Sequence, residues 1–247
     1  MKILVCISNV PDTTSKITFT DNHTQFNKEG VQFIINPYDE IALSKAIELK
    51  ESIPQSSVTV ISVAEASADA TIRKALAIGA DSAIRIDAIA KDAWYVASQI
   101  AHYARQQSFD LILTGRESID YNGGQVTAMI AELLNIPSVS TAKEIHLQED
   151  NTVTIAREIE GGKQLLTTSL PVVIGTAEGV AEPKIPNVRN IMSARSKPLE
   201  VIAPLDIENL TTISTYAIPP KRGDVQLIDE NNLEQLVELL HAQVQVI

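Results

Sequence analysis

Leu111-Ile112-Leu113-Thr114-Gly115-Arg116-Glu117-Ser118-Ile119-Asp120-Tyr121-Asn122-Gly123-Gly124-Gln125-Val126, continuing to Leu134, organises the reading of the whole chain. An apolar strand, residues 111–113, runs into a polar, glycine-bearing loop over Thr114 to Gln125 and then into an apolar-periodic helix. At the start of such a helix, unpaired N–H groups and the positive end of the dipole favour an anion such as a phosphate. Adjacent glycines let a ligand approach the backbone closely. The loop matches neither GxxxxGK[ST] nor GxGxxG, so the common nucleotide signatures do not account for it. A strand–loop–helix of this kind also serves in many sheets simply as a connection.

Outward from this unit, the first three-quarters of the chain alternate between strands and helices. Ile3–Ile7, Val31–Ile35, Val58–Val63, Ala83–Ile86, Leu111–Leu113 and Val172–Ile174 are short and rich in Val, Ile and Leu, as strands of a covered parallel sheet are. Helices are predicted over Tyr38–Lys50, Ala68–Ala77, Ala93–Gln106 and Gln125–Leu134, the last closing against Asn135 and Pro137. The alternation predicts a doubly wound, mostly parallel α/β sheet of the Rossmann-like layered kind, with ligands at the carboxyl ends of the strands. Thr152–Glu160 and Lys163–Ser169, joined through Gly161-Gly162, read as a β-hairpin whose glycine pair supplies the positive φ of the turn.

Composition bounds the function. A chain of 247 residues, 45% hydrophobic, has enough material for one large α/β domain with an appendage. No apolar run reaches the roughly 20 residues of a membrane span, and the first residues pass directly into a strand without a signal-peptide pattern, so no direct membrane insertion and a cytoplasmic location are expected. The single cysteine, Cys6, excludes an internal disulfide and a cysteine-rich metal site; it reads as a small buried strand residue. A net charge of −11 argues against nucleic acid as a partner. The four histidines are scattered without metal-ligand spacing, and neither a GxSxG elbow nor a Ser–His–Asp set is present.

The character changes after Thr176. Pro183, Pro186 and Pro198 prevent continuous helix or central strand between Glu182 and Glu200, and Lys184, Arg189, Arg195 and Lys197 make this stretch basic within an acidic chain. Reversal of sign suits a docking surface; a solvated linker would have the same composition. Three regions are therefore expected: an α/β domain over 1–182, a loop over 183–200 and a C-terminal arm over 201–247. The arm holds one amphipathic helix, Asn232–Ala242, which either folds back on the main domain or embraces another subunit; periodicity does not choose. Asn36-Pro37-Tyr38-Asp39 follows the second strand and opens a helix, where Asp39 would suit a cap. This turn and the Thr114–Gln125 loop can converge on one crevice with the ends of two other strands, near Cys6 and Val63.

Several of these stretches, in order, resemble the β subunits of electron transfer flavoproteins along almost the whole chain. They are Asn36-Pro37-Tyr38-Asp39-Glu40-Ile41-Ala42; Thr71-Ile72-Arg73 with Ala75-Leu76-Ala77 and Gly79-Ala80-Asp81; Gly115 with Ile119-Asp120 and Gln125; Arg157-Glu158-Ile159 with Gly161-Gly162; Glu182-Pro183; and Asn190-Ile191-Met192 with a basic tail. The resemblance implies an electron carrier rather than an enzyme with its own substrate. It would be paired as a heterodimer with a larger α subunit that holds the redox-active FAD, and would bury an AMP of its own. It further implies a place between flavoprotein dehydrogenases, such as the acyl-CoA dehydrogenases of fatty acid β-oxidation, and a membrane quinone oxidoreductase. The AMP site carried over by position is Cys6, Asn36, Pro37, Tyr38, Asp39, Val63, Gly115, Arg116, Glu117, Ser118, Ile119, Asp120, Tyr121, Asn122, Gly123, Gly124, Gln125 and Val126.

The family's recognition loop matches Glu182–Ser196, with Val188 at its apolar anchor and Arg189, Arg195 and Lys197 at the rim, and Glu158 matches a glutamate that pairs with an arginine of the α subunit. This chain departs from the family in three places: Thr13 replaces an aromatic residue that lies against the flavin, Val188 replaces Leu, and Arg189 replaces Pro. The usual AMP loop has Asn-Gln-Thr where Gly124-Gln125-Val126 stand. Flavin-bifurcating relatives, which bind a second FAD in the same crevice, share Gln125-Val126 but carry a Gly, Asp and Thr that this chain lacks. AMP is the expected ligand and a second FAD the alternative.

Overall fold

The computed structural model describes residues 1–244. Its centre is a nine-stranded sheet. In chain order the strands of that sheet are β1 (Lys2–Cys6), β6 (Ser57–Ala64), β7 (Ser82–Asp87), β8 (Leu111–Gly115), β9 (Ser138–Leu147), β10 (Thr152–Ile159), β11 (Gly162–Ser169), β12 (Val172–Thr176) and β13 (Leu199–Ile202). Their spatial order is β11-β10-β9-β12-β8-β1-β6-β7-β13. From β9 to β13 across the sheet all neighbours are parallel; β10 and β11 extend one side as an antiparallel meander. The remaining strands form two small ribbons: β2 (Asn9–Pro11) with β5 (Phe33–Ile35), and β3 (Phe19–Thr20) with β4 (Gln25–Phe26).

Helices cover both faces, which is why β8 and β12 are buried at every position and read as unbroken apolar runs rather than alternating ones. One face packs against α1 (Pro37–Ser52), α2 (Asp69–Ile78) and α5 (Val188–Ala194) around Ile3, Leu43, Ile72, Leu76, Leu111 and Ile174. The other packs against α3 (Ala93–Gln107) and α4 (Val126–Leu134) around Leu4, Ile61, Ile100, Ile112 and Ile130. Among the described residues no helix is long and apolar enough to cross a membrane. The doubly wound, mostly parallel architecture is the one the alternation predicts.

Four local expectations need correction. Val31–Ile35 does not enter the main sheet: residues 33–35 pair antiparallel with residues 9–11, because both edges of β1 are already taken by β6 and β8. At the hairpin turn only Gly161 has positive φ (+78°); Gly162 is the first residue of β11. The proline-flanked segment is not all loop, since seven residues between Pro186 and Pro198 form α5, whose Asn187 side chain accepts from the N–H of Asn190 at 2.8 Å. The C-terminal helix α6 spans Leu233–Leu239, shorter than predicted, and widens into a π-type turn over Leu240–Val244.

The arm after β13 is fastened to the domain at successive stations. The carboxamide of buried Gln99 donates to the carbonyl of Leu205 (2.8 Å) and accepts from its N–H (2.9 Å). Asp92 caps α3 through one oxygen and with the other accepts from the N–H groups of Leu210 and Thr211 (2.7 and 2.8 Å). Tyr216 stacks on Phe19, centroids 4.6 Å apart, and its N–H donates to the carbonyl of His23 at 2.7 Å. The arm therefore folds back as far as Tyr216. Beyond it Ile218, Val225, Leu227, Leu233 and Val237 are exposed.

Candidate functional site

β1 lies between β6, its successor in the parallel series, and β8, with which the series resumes on its other side. Winding reverses there, and the loops leaving the carboxyl ends of β1 and β8 diverge to opposite faces of the sheet and open a crevice. Cys6 ends β1, Gly115 ends β8, and the turn that starts α1 brings Asn36 to Asp39 between them.

Asp39 is the centre of this junction. It does not cap α1: its Oδ2 accepts from the N–H of Ser8 (2.7 Å), just past β1, and its Oδ1 accepts from the N–H of Gly115 (2.9 Å), at the end of β8. One carboxylate thus ties the two strand ends together. Burial pushes its pKa from 3.8 up to about 7, against the opposing effect of the hydrogen bonds from Asn36, Ser8 and Gly115. Beneath it the Cys6 thiol is raised well above its ordinary range, by burial first and by Asp39 second, and is an inert structural group. Gly115 is obligatory: a Cβ there would overlap the Asp39 carboxylate and lie 2.7 Å from Tyr38 Cβ and 2.9 Å from its backbone carbon.

Asn36 sets the loop itself. Its amide donates to the carbonyl of Glu117 (2.8 Å) and accepts from the N–H of Ile119 (3.2 Å), while the N–H of Ser118 donates to the carbonyl of Gly123 (3.1 Å) and closes the loop on itself. Asn122, at the tip, adopts φ of +49°. Among the described residues, the N–H groups of Gly124, Gln125, Val126 and Thr127 at the start of α4 meet no acceptor, and nothing lies within 4 Å of where a Cβ would stand on Gly123. Backbone donors without acceptors at the positive end of a helix are what a phosphate-sized anion requires.

Three threonines complete the floor, of which only Thr114 stood within the loop expected from sequence. Thr114 and Thr127 share a hydrogen bond of 2.6 Å between hydroxyls, and Thr176 at the end of β12 donates to the carbonyl of Thr114 at 3.0 Å. The signal for them was position: each is a hydroxyl at a strand's carboxyl end or in a first helical turn, in otherwise apolar surroundings. Arg116 lies over the Tyr38 ring (5.1 Å) and reaches toward Glu117 (3.4 Å) and Glu178 (3.8 Å). It stiffens the rim rather than presenting a free charge.

Of the carried-over positions, Cys6, Asn36 to Asp39, Val63 at the end of β6 and Gly115 to Val126 gather at this one edge. Glu158 lies on β10, paired with Lys143 at 3.2 Å. Val188 and Arg189 open α5 and Arg195 ends it, with Val188 exposed. Lys197 is not at a rim: its ammonium donates to the carbonyls of Leu76 (2.9 Å) and Ala80 (2.6 Å) at the end of α2, and it is only partly exposed.

A doubly wound α/β domain with such a switch-point loop defines a Rossmann-like, layered class of protein. The electron transfer flavoprotein domain matches residues 24–207. The chain is 34% identical to the electron transfer flavoprotein subunit beta of Bacillus subtilis over the full length of both, 33% identical to that of Syntrophomonas wolfei (93% of this chain, 91% of the relative) and 32% identical to that of Homo sapiens (90% of each). It belongs to the electron transfer flavoprotein family, in which it aligns with the beta subunits from end to end.

Proposed function

We propose that this chain pairs with an electron transfer flavoprotein α subunit, binds AMP in the β1/β8 crevice, and helps carry electrons from flavoprotein dehydrogenases to a quinone oxidoreductase. The carrying observation is the row of N–H groups from Gly124 to Thr127, without acceptors among the described residues, next to the β1/β8 junction whose backbone Asp39 and Asn36 fix. The phosphate is held by backbone alone, since the one basic side chain of the loop, Arg116, is engaged with Tyr38, Glu117 and Glu178. An AMP in that position has a structural role. FAD, held mainly by the α subunit, supplies the redox chemistry when bound. This chain contributes the surface against which the flavin-bearing subunit is placed, including Glu158 with its exposed carboxylate on β10 and the apolar residues beyond Tyr216.

The test is to purify the heterodimer, denature it, and identify released nucleotides by mass spectrometry. One AMP and one FAD per heterodimer is expected. Two FAD per heterodimer would overturn the AMP reading and assign the crevice to a second flavin. AMP without any stable association with an α subunit would overturn the pairing instead.

A further inference from the structure

The stretch Thr71-Ile72-Arg73 … Gly79-Ala80-Asp81, the length of α2 and the turn after it, lies on the flank of the domain, and its end is at the amino-end edge of the sheet, where β7 begins two residues after Ala80. It has no part in the crevice. What it does hold is the proline-flanked segment. Arg73 donates from one guanidinium nitrogen to the carbonyls of Ala194 (2.9 Å) and Lys197 (2.7 Å), satisfying the end of α5. Lys197 returns the interaction, with its ammonium on the carbonyls of Leu76 and Ala80 at the end of α2. Each helix is thus capped at its C-terminal end by a cation from the other's segment.

The two ends of the segment are fixed as well. At its entry the N–H of Lys184 donates to Ser44 Oγ (2.9 Å) and its ammonium pairs with Glu51 (2.6 Å). At its exit the carbonyl of Pro198 accepts from the N–H of Ala83 (3.0 Å) as β13 joins β7. Between these anchors Ala194 is buried against the domain, whereas Ile185, Val188, Ile191 and Met192 all face outward, flanked by Arg189 and Arg195. A short helix with three large apolar side chains in water, and a fourth, Ile185, just before it, has no internal reason to hold one orientation; the reciprocal clamp gives it one.

We propose that Arg73 and Lys197 are positioning residues which lock α5 on α2 and thereby present its apolar face, preorganised, to the electron-donating flavoprotein. This rests on reading the 183–200 segment as the docking surface. The fitting surface on that partner is an apolar pocket with acidic residues at its edge, opposite Arg189 and Arg195. Locking the helix beforehand removes the cost of ordering it during an encounter, so its loss appears as weaker docking and not as slower electron transfer within the docked complex.

The experiment uses the full heterodimer and an acyl-CoA dehydrogenase that reduces the wild-type protein. Arg73→Met, which keeps length and removes the donors, should raise KM for the heterodimer about tenfold with kcat unchanged, and should speed amide hydrogen exchange over residues 188–197. Arg73→Lys should recover part of the KM, as one donor group remains. Val188→Ala, measured alongside, should raise KM without altering exchange. If Val188→Ala raises KM while Arg73→Met speeds exchange and leaves KM unchanged, the positioning role is wrong although the surface is right; unchanged exchange in Arg73→Met also overturns it. If Val188→Ala is itself silent, the docking reading fails. Should Arg73→Met not fold, Lys197→Met opens the clamp from the other side and the same two readouts decide.

Discussion

At the β1/β8 junction the polar side chains are the buried ones, Asn36 at 1% exposure and Asp39 at 5%, whereas between Pro183 and α6 the apolar side chains are the exposed ones, Ile185 at 92% and Leu227 at 90%. In the crevice, buried side chains are consumed in fixing the backbone: Asp39, Asn36, Thr114 and Thr176 each bond to main-chain atoms, and the N–H groups at the start of α4 keep no acceptor among the described residues. In the C-terminal part the backbone is instead hooked at intervals by Arg73, Gln99 and Asp92, Lys197 reaches back to the carbonyls at the end of α2, and apolar side chains between the hooks remain exposed. A small polar ligand needs donors at fixed positions and a protein partner needs apolar area, so the two regions suit the two kinds of ligand that the proposed function assigns to them.

The contrast breaks first at Asp39. Asp39→Ala strips the N–H groups of Ser8 and Gly115 of their acceptors, and is expected to cost about 4 kcal/mol of unfolding free energy in urea, each orphaned buried donor contributing about 2. A loss below 1 kcal/mol would show that the strand ends do not depend on this carboxylate. Asp39 also carries a pH signature. Because its pKa is raised on folding, from 3.8 to about 7, the native state keeps a proton that the unfolded chain has lost. Its contribution is complete below about pH 4 and declines as pH rises to about 7, by up to about 4 kcal/mol, and is flat above that. Asp39→Asn should flatten the fall in stability between pH 4 and 7, as read from denaturation midpoints across that range.

Gly115→Ala sharpens the same side of the comparison by filling the one place where no Cβ fits. Overpacking against Asp39 and Tyr38 should cost about 2–3 kcal/mol and lower the nucleotide recovered per heterodimer, since the loop begins there. Retained nucleotide at full stoichiometry would separate the strand junction from the binding loop. On the other side, Gln99→Ala removes a single hook and should cost about 1.5 kcal/mol, with faster proteolysis of the arm after residue 203. The smallest effect on folding is expected from deleting residues 217–247. Its described residues, 217–244, make few attachments to the domain, so the shortened chain should unfold within about 0.5 kcal/mol of the parent while failing to co-purify with the α subunit. A large destabilisation would mean that the arm belongs to this domain and not to the interface.

Much of the fold was legible because its strands are short, apolar and separated by well-marked helices, and because the loop after β8 is polar where its surroundings are not. Asp39 was misread for a physical reason. An acid in a first helical turn is an ordinary cap, and nothing local distinguishes it from one whose acceptors serve N–H groups 31 and 76 residues away. Lys197 was misread likewise: in sequence it is one of four cations in a basic stretch, and only the arrival of α2's carbonyls beside it turns a surface charge into a helix cap. The strand over residues 33–35 has the composition of a sheet strand, but composition does not say that both edges of β1 are occupied.

By itself the sequence determined most of the strands and helices of the α/β core and that the sheet would be mostly parallel and covered on both faces, and it marked the polar loop over 114–125 at a strand's carboxyl end, since hydrophobic period, glycine placement and polarity are local quantities written in consecutive residues. The tertiary structure alone decided that β1 and β8 are the strands at which winding reverses, that one buried carboxylate joins them, and that α2 holds α5 by an exchange of cations. Those depend on pairings between residues tens to more than a hundred positions apart, whose geometry exists only once the sheet has assembled its order.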